Sequence, residues 1–150
     1  MALDVGKNNV LYIHLTLIPF IRVAGEIKTK PTQHSVSTLR SIGIQPDILI
    51  CRTEKKLSAG EKEKIGLFCN VEERAVIQAL DVSSIYEVPL MFASQKIDEI
   101  ILEKLHLFGQ PLKIKKWEYI VNKINNPEGE VKISVVGKYV YVLDAYKTFK

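Results

Sequence analysis

Residues Val10 to Ile18, reading VLYIHLTLI, form a largely apolar run rich in branched side chains, closed by Pro19. A run that does not alternate in polarity suits a strand covered on both faces, the kind found in parallel sheets. The rest of the chain extends that constraint. Gln33 to Ile42 is predicted helical, with Val36, Leu39 and Ile42 on one face and Gly43 placed to end it. Pro46 and Asp47 turn the chain into DILIC, a second short buried strand. Ser58 to Glu61 has the form of a capping box opening a helix to about Cys69, with Ile65, Phe68 and Cys69 as its apolar side. Arg74 to Ala79 reads as a third strand. Ser83 or Ser84 can cap a helical stretch that Pro89 interrupts and Lys96 to Leu105 resumes. This alternation predicts an α/β fold with a parallel sheet and crossover helices.

Sheets of that kind bind ligands outside the carboxyl ends of their strands, so the loops after Ile18, Arg52 and Ala79 are the candidate edge. Gly25 to Ser35, GEIKTKPTQHS, carries the densest chemistry there. A helix start near Thr32 gathers free N–H groups and the positive end of the macrodipole. Lys28 and Lys30 add full charge, and Thr29, Thr32 and Gln33 add short polar contacts, a set suited to the phosphates of a nucleotide. On local chemistry alone, the ordinary reading is a basic surface turn before a capped helix.

With 150 residues, 47% of them hydrophobic and 25% charged, there is apolar material for one core. The net charge of +4 allows an acidic ligand but is too mild for a nucleic-acid surface, so no nucleic-acid partner is expected. Five lysines between Lys104 and Lys123 alternate with apolar residues, as on a solvated helix face. Cys51 and Cys69 each end an apolar run and read as buried thiols, not as metal ligands, a disulfide or a nucleophile. His14, His34 and His106 are scattered: His14 reads as a hydrogen-bonded core residue and His34 as a helix-start residue, and no metal site is expected. The apolar run at Val10 to Ile21 is too short for a membrane span. The start MALDVGKNN is polar, so a cytoplasmic protein is expected, with no membrane partner.

After Leu105 the pattern changes. Phe108 to Pro111 is a break, Trp117 to Ile124 one more amphipathic helix, and Asn125 to Gly129 a turn cluster. Val131 to Tyr139 then reads as a fresh apolar strand.

The string GEIKTKPTQHS, with LRSIGIQPDILICR (Leu39 to Arg52), KIGLFCNV (Lys64 to Val71) and DVSSIY (Asp81 to Tyr86), closely resembles cytidine triphosphate synthase in one colinear register. That family aminates UTP to CTP with ATP and glutamine. The resemblance implies a parallel-sheet, nucleotide-binding synthetase domain of the P-loop NTPase type over residues 1–110, truncated at its front. It further implies a linker at 111–130 and the truncated first strand of a glutaminase domain at 131–150. Where the family has a leucine–proline pair before an aspartate, this chain reads Val142-Leu143 before Asp144.

By the same resemblance Lys28, Thr29, Lys30, Pro31, Thr32 and Gln33 contact the triphosphate of UTP, or of CTP as feedback inhibitor. Lys64 is a further phosphate-contacting lysine; without the resemblance it is an exposed helix lysine. Arg52 matches a residue near the adenine of ATP, where a planar guanidinium can stack or donate; otherwise it is a solvated charge in a turn. Leu80, Asp81 and Val82 match the segment lining the adenine pocket, largely through backbone groups. Asp81 could equally cap the following helix.

No glycine-rich phosphate loop occurs in the sequence. The carboxylates that hold Mg2+ in the family would lie upstream, and the glutaminase cysteine, histidine and glutamate downstream. The chain alone is therefore expected to have no catalytic residue and no activity. The family is homotetrameric, and the rival expectation is an interaction module that joins a full-length synthase oligomer, or half of a split enzyme.

Overall fold

The computed structural model describes residues 2–134, 136–139 and 141–142. Its centre is a three-stranded parallel sheet of β1 (Ile13–Leu17), β4 (Ile48–Thr53) and β5 (Val76–Leu80), in the order β1-β4-β5. Ile13 stands opposite Ile48 and Leu49 opposite Val76, so successive strands keep a common register at their carboxyl ends. A two-stranded antiparallel ribbon, β2 (Phe20–Ile21) with β3 (Glu26–Ile27), follows β1. No signal in the sequence reading pointed to it.

The helices are α1 (Ala2–Val5), α2 (Lys30–Ser41), α3 (Ala59–Cys69), α4 (Val88–Ser94), α5 (Ile97–Lys104) and α6 (Lys115–Asn125). Helix α2 connects β1 to β4, and α3 connects β4 to β5, each making the crossover a parallel pair requires. The parallel strand direction and the crossover helices match the α/β expectation.

Local chemistry sets several boundaries. Helix α2 begins two residues before Thr32 because Pro31, in its first turn, carries a backbone preset for a helix start. It ends in a Schellman motif: Gly43, at φ +87°, donates its N–H to Arg40 O at 2.9 Å, and Ile44 donates to Leu39 O at 3.3 Å. Ser58 and Glu61 form the expected capping box at α3. The same helix closes on Asn70 in the left-handed region, with Val71 donating to Gly66 O at 3.0 Å.

The core gathers Ile18, Val36, Ile48, Leu49, Cys51, Ile65, Cys69, Val76 and Ile77, with Ile100 from α5. Burial pushes the Cys51 thiol up to about 12, and burial also raises Cys69. Thr32 is fully buried. Its hydroxyl donates to Leu17 O at 3.2 Å and accepts from Thr16 Oγ1 at 3.2 Å, which pins the start of α2 to the end of β1. His14 Nε2 lies 2.9 Å from Ser35 Oγ on the same pair of elements, the hydrogen-bonded role expected of it.

Five expectations are corrected. The strand at Val10 to Ile18 is shorter and is not covered on both faces: Ile13, Leu15 and Leu17 are exposed, because α2 packs on the opposite face, the one that carries His14 and Thr16. Phe68 points outward at 58% exposure, since one helical face buries Ile65, Gly66 and Cys69 and the next residue cannot join it. Ile42 is exposed because it is the cap residue beyond the last turn of α2. Pro89 opens α4 instead of interrupting a helix, since its missing N–H is harmless in a first turn. Residues 131–134 and 136–139 form no strand, because no strand among the described residues lies beside them to pair with. Val135, Val140 and residues 143–150 lie outside the described residues.

Among the described residues no helix is long and apolar enough to cross a membrane.

Candidate functional site

The carboxyl ends of the three strands converge on Arg52 and Asp81. Arg52 is the fifth residue of β4 and Asp81 follows β5 directly, so strand register sets them side by side. Arg52 Nε donates to Asp81 Oδ1 at 3.3 Å, and both side chains are more than half exposed. Asp81 N–H donates to Thr53 O at 3.3 Å, and Ile18 N–H donates to Arg52 O at 2.8 Å. Those backbone bonds prolong the sheet by one residue beyond its ladders and hold the edge rigid.

Two pockets share this ion pair as the ridge between them. One, of about 390 Å³, is lined by Arg52, Ala79, Leu80, Asp81 and Val82 with Ile85, Val88 and Met91 across from them. The other, of about 330 Å³, is lined by Leu17, Ile18, Pro19 and Phe20 with Arg52, Thr53, Glu54 and Asp81. All four residues expected around adenine, Arg52, Leu80, Asp81 and Val82, therefore line one pocket. Its opposite wall is apolar, which suits a flat heteroaromatic ring with a guanidinium at its margin.

The sequence reading missed that opposite wall. Ile85, Val88 and Met91 recur at intervals of three in the stretch it read only as helical. It also missed Phe20, whose ring carries Lys55 Nζ 5.4 Å from its centroid, and Glu54, which accepts from Arg22 Nη2 at 3.3 Å. A cation over an aromatic face joins residues 35 apart in sequence, so no local pattern encodes it.

The lysine-rich segment reaches the same edge. Lys28 N–H donates to Pro19 O at 3.0 Å, so its backbone borders the pocket that Pro19 lines. The Lys28 ammonium pairs with the Glu26 carboxylate, and Lys30 begins α2 in an exposed position. Gln33 Nε2 donates to Thr29 Oγ1 at 3.3 Å. Thr29 is buried, and its side chain does not cap α2. Thr32 differs from what the phosphate reading needs, because its hydroxyl is spent inside the fold. It could serve an anion only through its backbone N–H, and Pro31 offers none. Lys64 lies on the exposed side of α3 and lines neither pocket of the edge.

Asp81 does not cap a helix by side chain here; the 3-10 turn at Ile85–Glu87 is capped instead by Ser84, whose Oγ accepts from Tyr86 N–H at 3.4 Å. Among the described residues no group of three or more His, Cys, Asp and Glu side chains could hold a metal ion. The carboxylates lining this edge, Glu54 and Asp81, each face an arginine. That donor set does not fit a magnesium ion.

Comparison with known proteins gives a consistent picture. The family model described as "CTP synthase N-terminus" matches residues 1–107. The chain is 57% identical over 143 residues to a CTP synthase of Clostridium beijerinckii, covering 95% of this chain and 27% of the relative. It is 58% identical over 146 residues to one from Syntrophus aciditrophicus, covering 97% and 27%. The match to one from Koribacter versatilis runs over 150 residues at 53% identity, covering 100% and 27%. The chain thus spans 27% of the length of these curated relatives.

Proposed function

The chain belongs to the CTP synthase family, and from that premise we propose that its sheet edge binds the nucleotides of the amination of UTP to CTP. The adenine of ATP occupies the pocket of Arg52, Leu80, Asp81 and Val82. The triphosphate of UTP or CTP is held by Lys28, Thr29, Lys30, Pro31 and Gln33, by the backbone of Thr32, and by Lys64. The observation that carries this reading is the gathering of Arg52, Leu80, Asp81 and Val82 around one pocket.

In the reaction so proposed, ATP phosphorylates the uracil oxygen, and ammonia from glutamine displaces that phosphate. The residues of this chain bind and orient in that scheme; none is assigned a proton or a bond to transfer. Lysines near a triphosphate offset its charge, and an arginine at the pocket margin fixes the ring in its plane. A cytoplasmic location, glutamine as the ammonia source and a homotetrameric assembly are parts of the same proposal. So is the division into a synthetase domain at 1–110, a linker at 111–130 and the opening of a glutaminase domain at 131–150. Its support is that the relatives match this chain beyond residue 107, where the N-terminal family model stops.

Calorimetric titration of the chain with ATP and with UTP tests the reading. Arg52→Ala should weaken ATP by about tenfold and leave UTP alone, while Lys28→Ala with Lys30→Ala should do the reverse, as expected for charge-assisted contacts. Equal effects of both changes on both nucleotides would overturn it.

A second reading, association with a full-length synthase, is favoured by the open face of β1, where Leu15 is 66% and Leu17 60% exposed. Stoichiometric co-purification with a full-length synthase, lost on Leu15→Lys, is its test.

A further inference from the structure

Helix α6 lies wholly beyond residue 107, where the N-terminal family match ends, yet it is fastened to the wall of the adenine pocket. Near its start, Trp117 Nε1 donates to Tyr86 O at 2.8 Å, and the Trp117 and Tyr86 rings lie 6.2 Å apart at 47°. At its end, Asn125 Nδ2 donates to Glu87 Oε1 at 2.9 Å. The same carboxylate accepts from Ser83 Oγ at 2.7 Å. Residues 85–87 make the 3-10 turn that presents Ile85 to the pocket, immediately before Val88. Both ends of α6 thus grip the turn that carries Ile85 and leads into Val88 and Met91, the rest of that apolar wall.

The turn has little else to hold it. It is three residues long, and a 3-10 turn has poorer hydrogen-bond geometry than an α-helix. Ile85 and Tyr86 are exposed, and the turn's own backbone bonds are few: Tyr86 and Glu87 N–H donate to Ser84, and Val88 N–H donates to Ile85 O. A wall so lightly anchored takes its position from whatever clasps it from outside. Here that is an indole whose ring edge and N–H both engage one residue, giving direction as well as contact.

We propose that Trp117 is a positioning residue for ATP: through Tyr86 it sets the Ile85 wall of the adenine pocket, so that α6 couples the segment after residue 107 to nucleotide affinity. The inference rests on the adenine reading given above. Trp117 touches neither the pocket nor a nucleotide, and acts only through the turn. Movement of α6 would open or tighten the pocket without altering Arg52 or Asp81.

The chain offers its own probe, because Trp117 is its only tryptophan. In the full chain, ATP should change the emission of Trp117, excited at its red edge, in step with the heat of ATP binding; UTP should not. Trp117→Phe keeps a ring and removes the donor, and should weaken ATP about threefold. Trp117→Ala removes both contacts and should weaken ATP about tenfold, the loss expected for one hydrogen bond plus an aromatic pair. Affinity for UTP should stay within about twofold in both, and Tyr119→Ala on the same helix, whose ring carries Lys123, should leave both nucleotides alone.

ATP heat with a silent Trp117, or equal weakening of ATP and UTP by Trp117→Ala, overturns the inference and leaves the adenine site standing. No ATP heat in the wild-type chain overturns the adenine reading itself, and the inference with it.

Discussion

Gln78 N–H donates to Gln95 Oε1 at 2.8 Å, and Gln95 Nε2 donates back to Gln78 O at 2.7 Å. A single side-chain amide therefore stands where a fourth strand would pair with β5. An edge strand leaves its outward N–H and C=O groups in need of partners, and Gln78 is buried, so water is a poor substitute. Lys62 Nζ, which donates to Gln95 Oε1 at 3.4 Å, and Met91 O, which accepts from Gln95 Nε2 at 3.2 Å, fix the amide in place. Gln95→Ala should lower stability by about 1–3 kcal/mol, the cost of leaving buried polar groups unpaired. Urea unfolding measures it, and an unchanged midpoint would show that the β5 edge has other partners.

Two glycines of α3 should respond in opposite directions to the same change. A Cβ on Gly66 would lie 2.8 Å from Val71 O, a backbone atom fixed by the bond that ends the helix. Gly66→Ala must move that backbone and should cost about 1–3 kcal/mol. Gly60 has nothing within 4 Å of its Cβ position. Gly60→Ala should instead stabilise by a few tenths to about 1 kcal/mol, by reducing the freedom of the unfolded chain. Thermal unfolding of the pair decides it, because a shared sign would contradict the packing at Gly66.

Elements whose cause is local were legible in the sequence. The Ser58–Glu61 capping box, the stop at Gly43 and the apolar strands at Ile48 and Val76 each depend on a few adjacent residues. What depends on neighbours was not. The exposure of Leu15 and Leu17 follows from α2 covering only the opposite face of β1, which its own apolar run cannot encode. The run from Val131 has strand composition, yet its described residues lie beside no strand that could pair with them. At the candidate site, Arg52 and Asp81 were legible one by one, Arg52 near the carboxyl end of a strand and Asp81 directly after one. Their pairing required the register of β4 against β5, and the apolar wall required the turn at Ile85–Glu87.

Acid sensitivity should pass through Arg74. Its guanidinium donates from both terminal nitrogens to Glu103 at 2.5 Å and from Nε to Glu72 at 2.7 Å. The Arg74 hydrogen bonds are the main cause holding the Glu103 carboxyl below its usual value near 4.5, and the separate Arg74 Nε bond, followed by the Lys104 bond, lowers Glu72. A folded-state pKa below the unfolded one stabilises the fold above the unfolded pKa, and the benefit is lost as pH falls through the folded value. Stability should therefore decline below pH 4.5, and Arg74→Gln should flatten that limb by lowering stability at pH 7 by the same amount, a small one because the pairs are exposed. The alkaline side runs the other way. Cys51 stays a thiol to about 12 while an unfolded cysteine ionises near 9, so stability present below pH 9 is lost between those values. Unfolding curves across pH read both limbs.

The Arg52–Asp81 pair separates a folding role from a binding role. Both side chains are mostly exposed, at 67% and 51%, so screening leaves the pair worth about 0–1 kcal/mol to the fold. Asp81→Asn and Arg52→Lys should therefore leave the unfolding midpoint almost unmoved. Their effects on ATP should part. If Leu80 to Val82 meet adenine through backbone groups, Asp81→Asn keeps that backbone and should change ATP affinity by less than about threefold. Arg52→Lys keeps the charge but loses the planar fork that stacks and donates along a ring, and should cost about fivefold to tenfold. Should Asp81→Asn prove the more damaging for ATP, the carboxylate itself, and not the backbone around it, would be the contact to adenine.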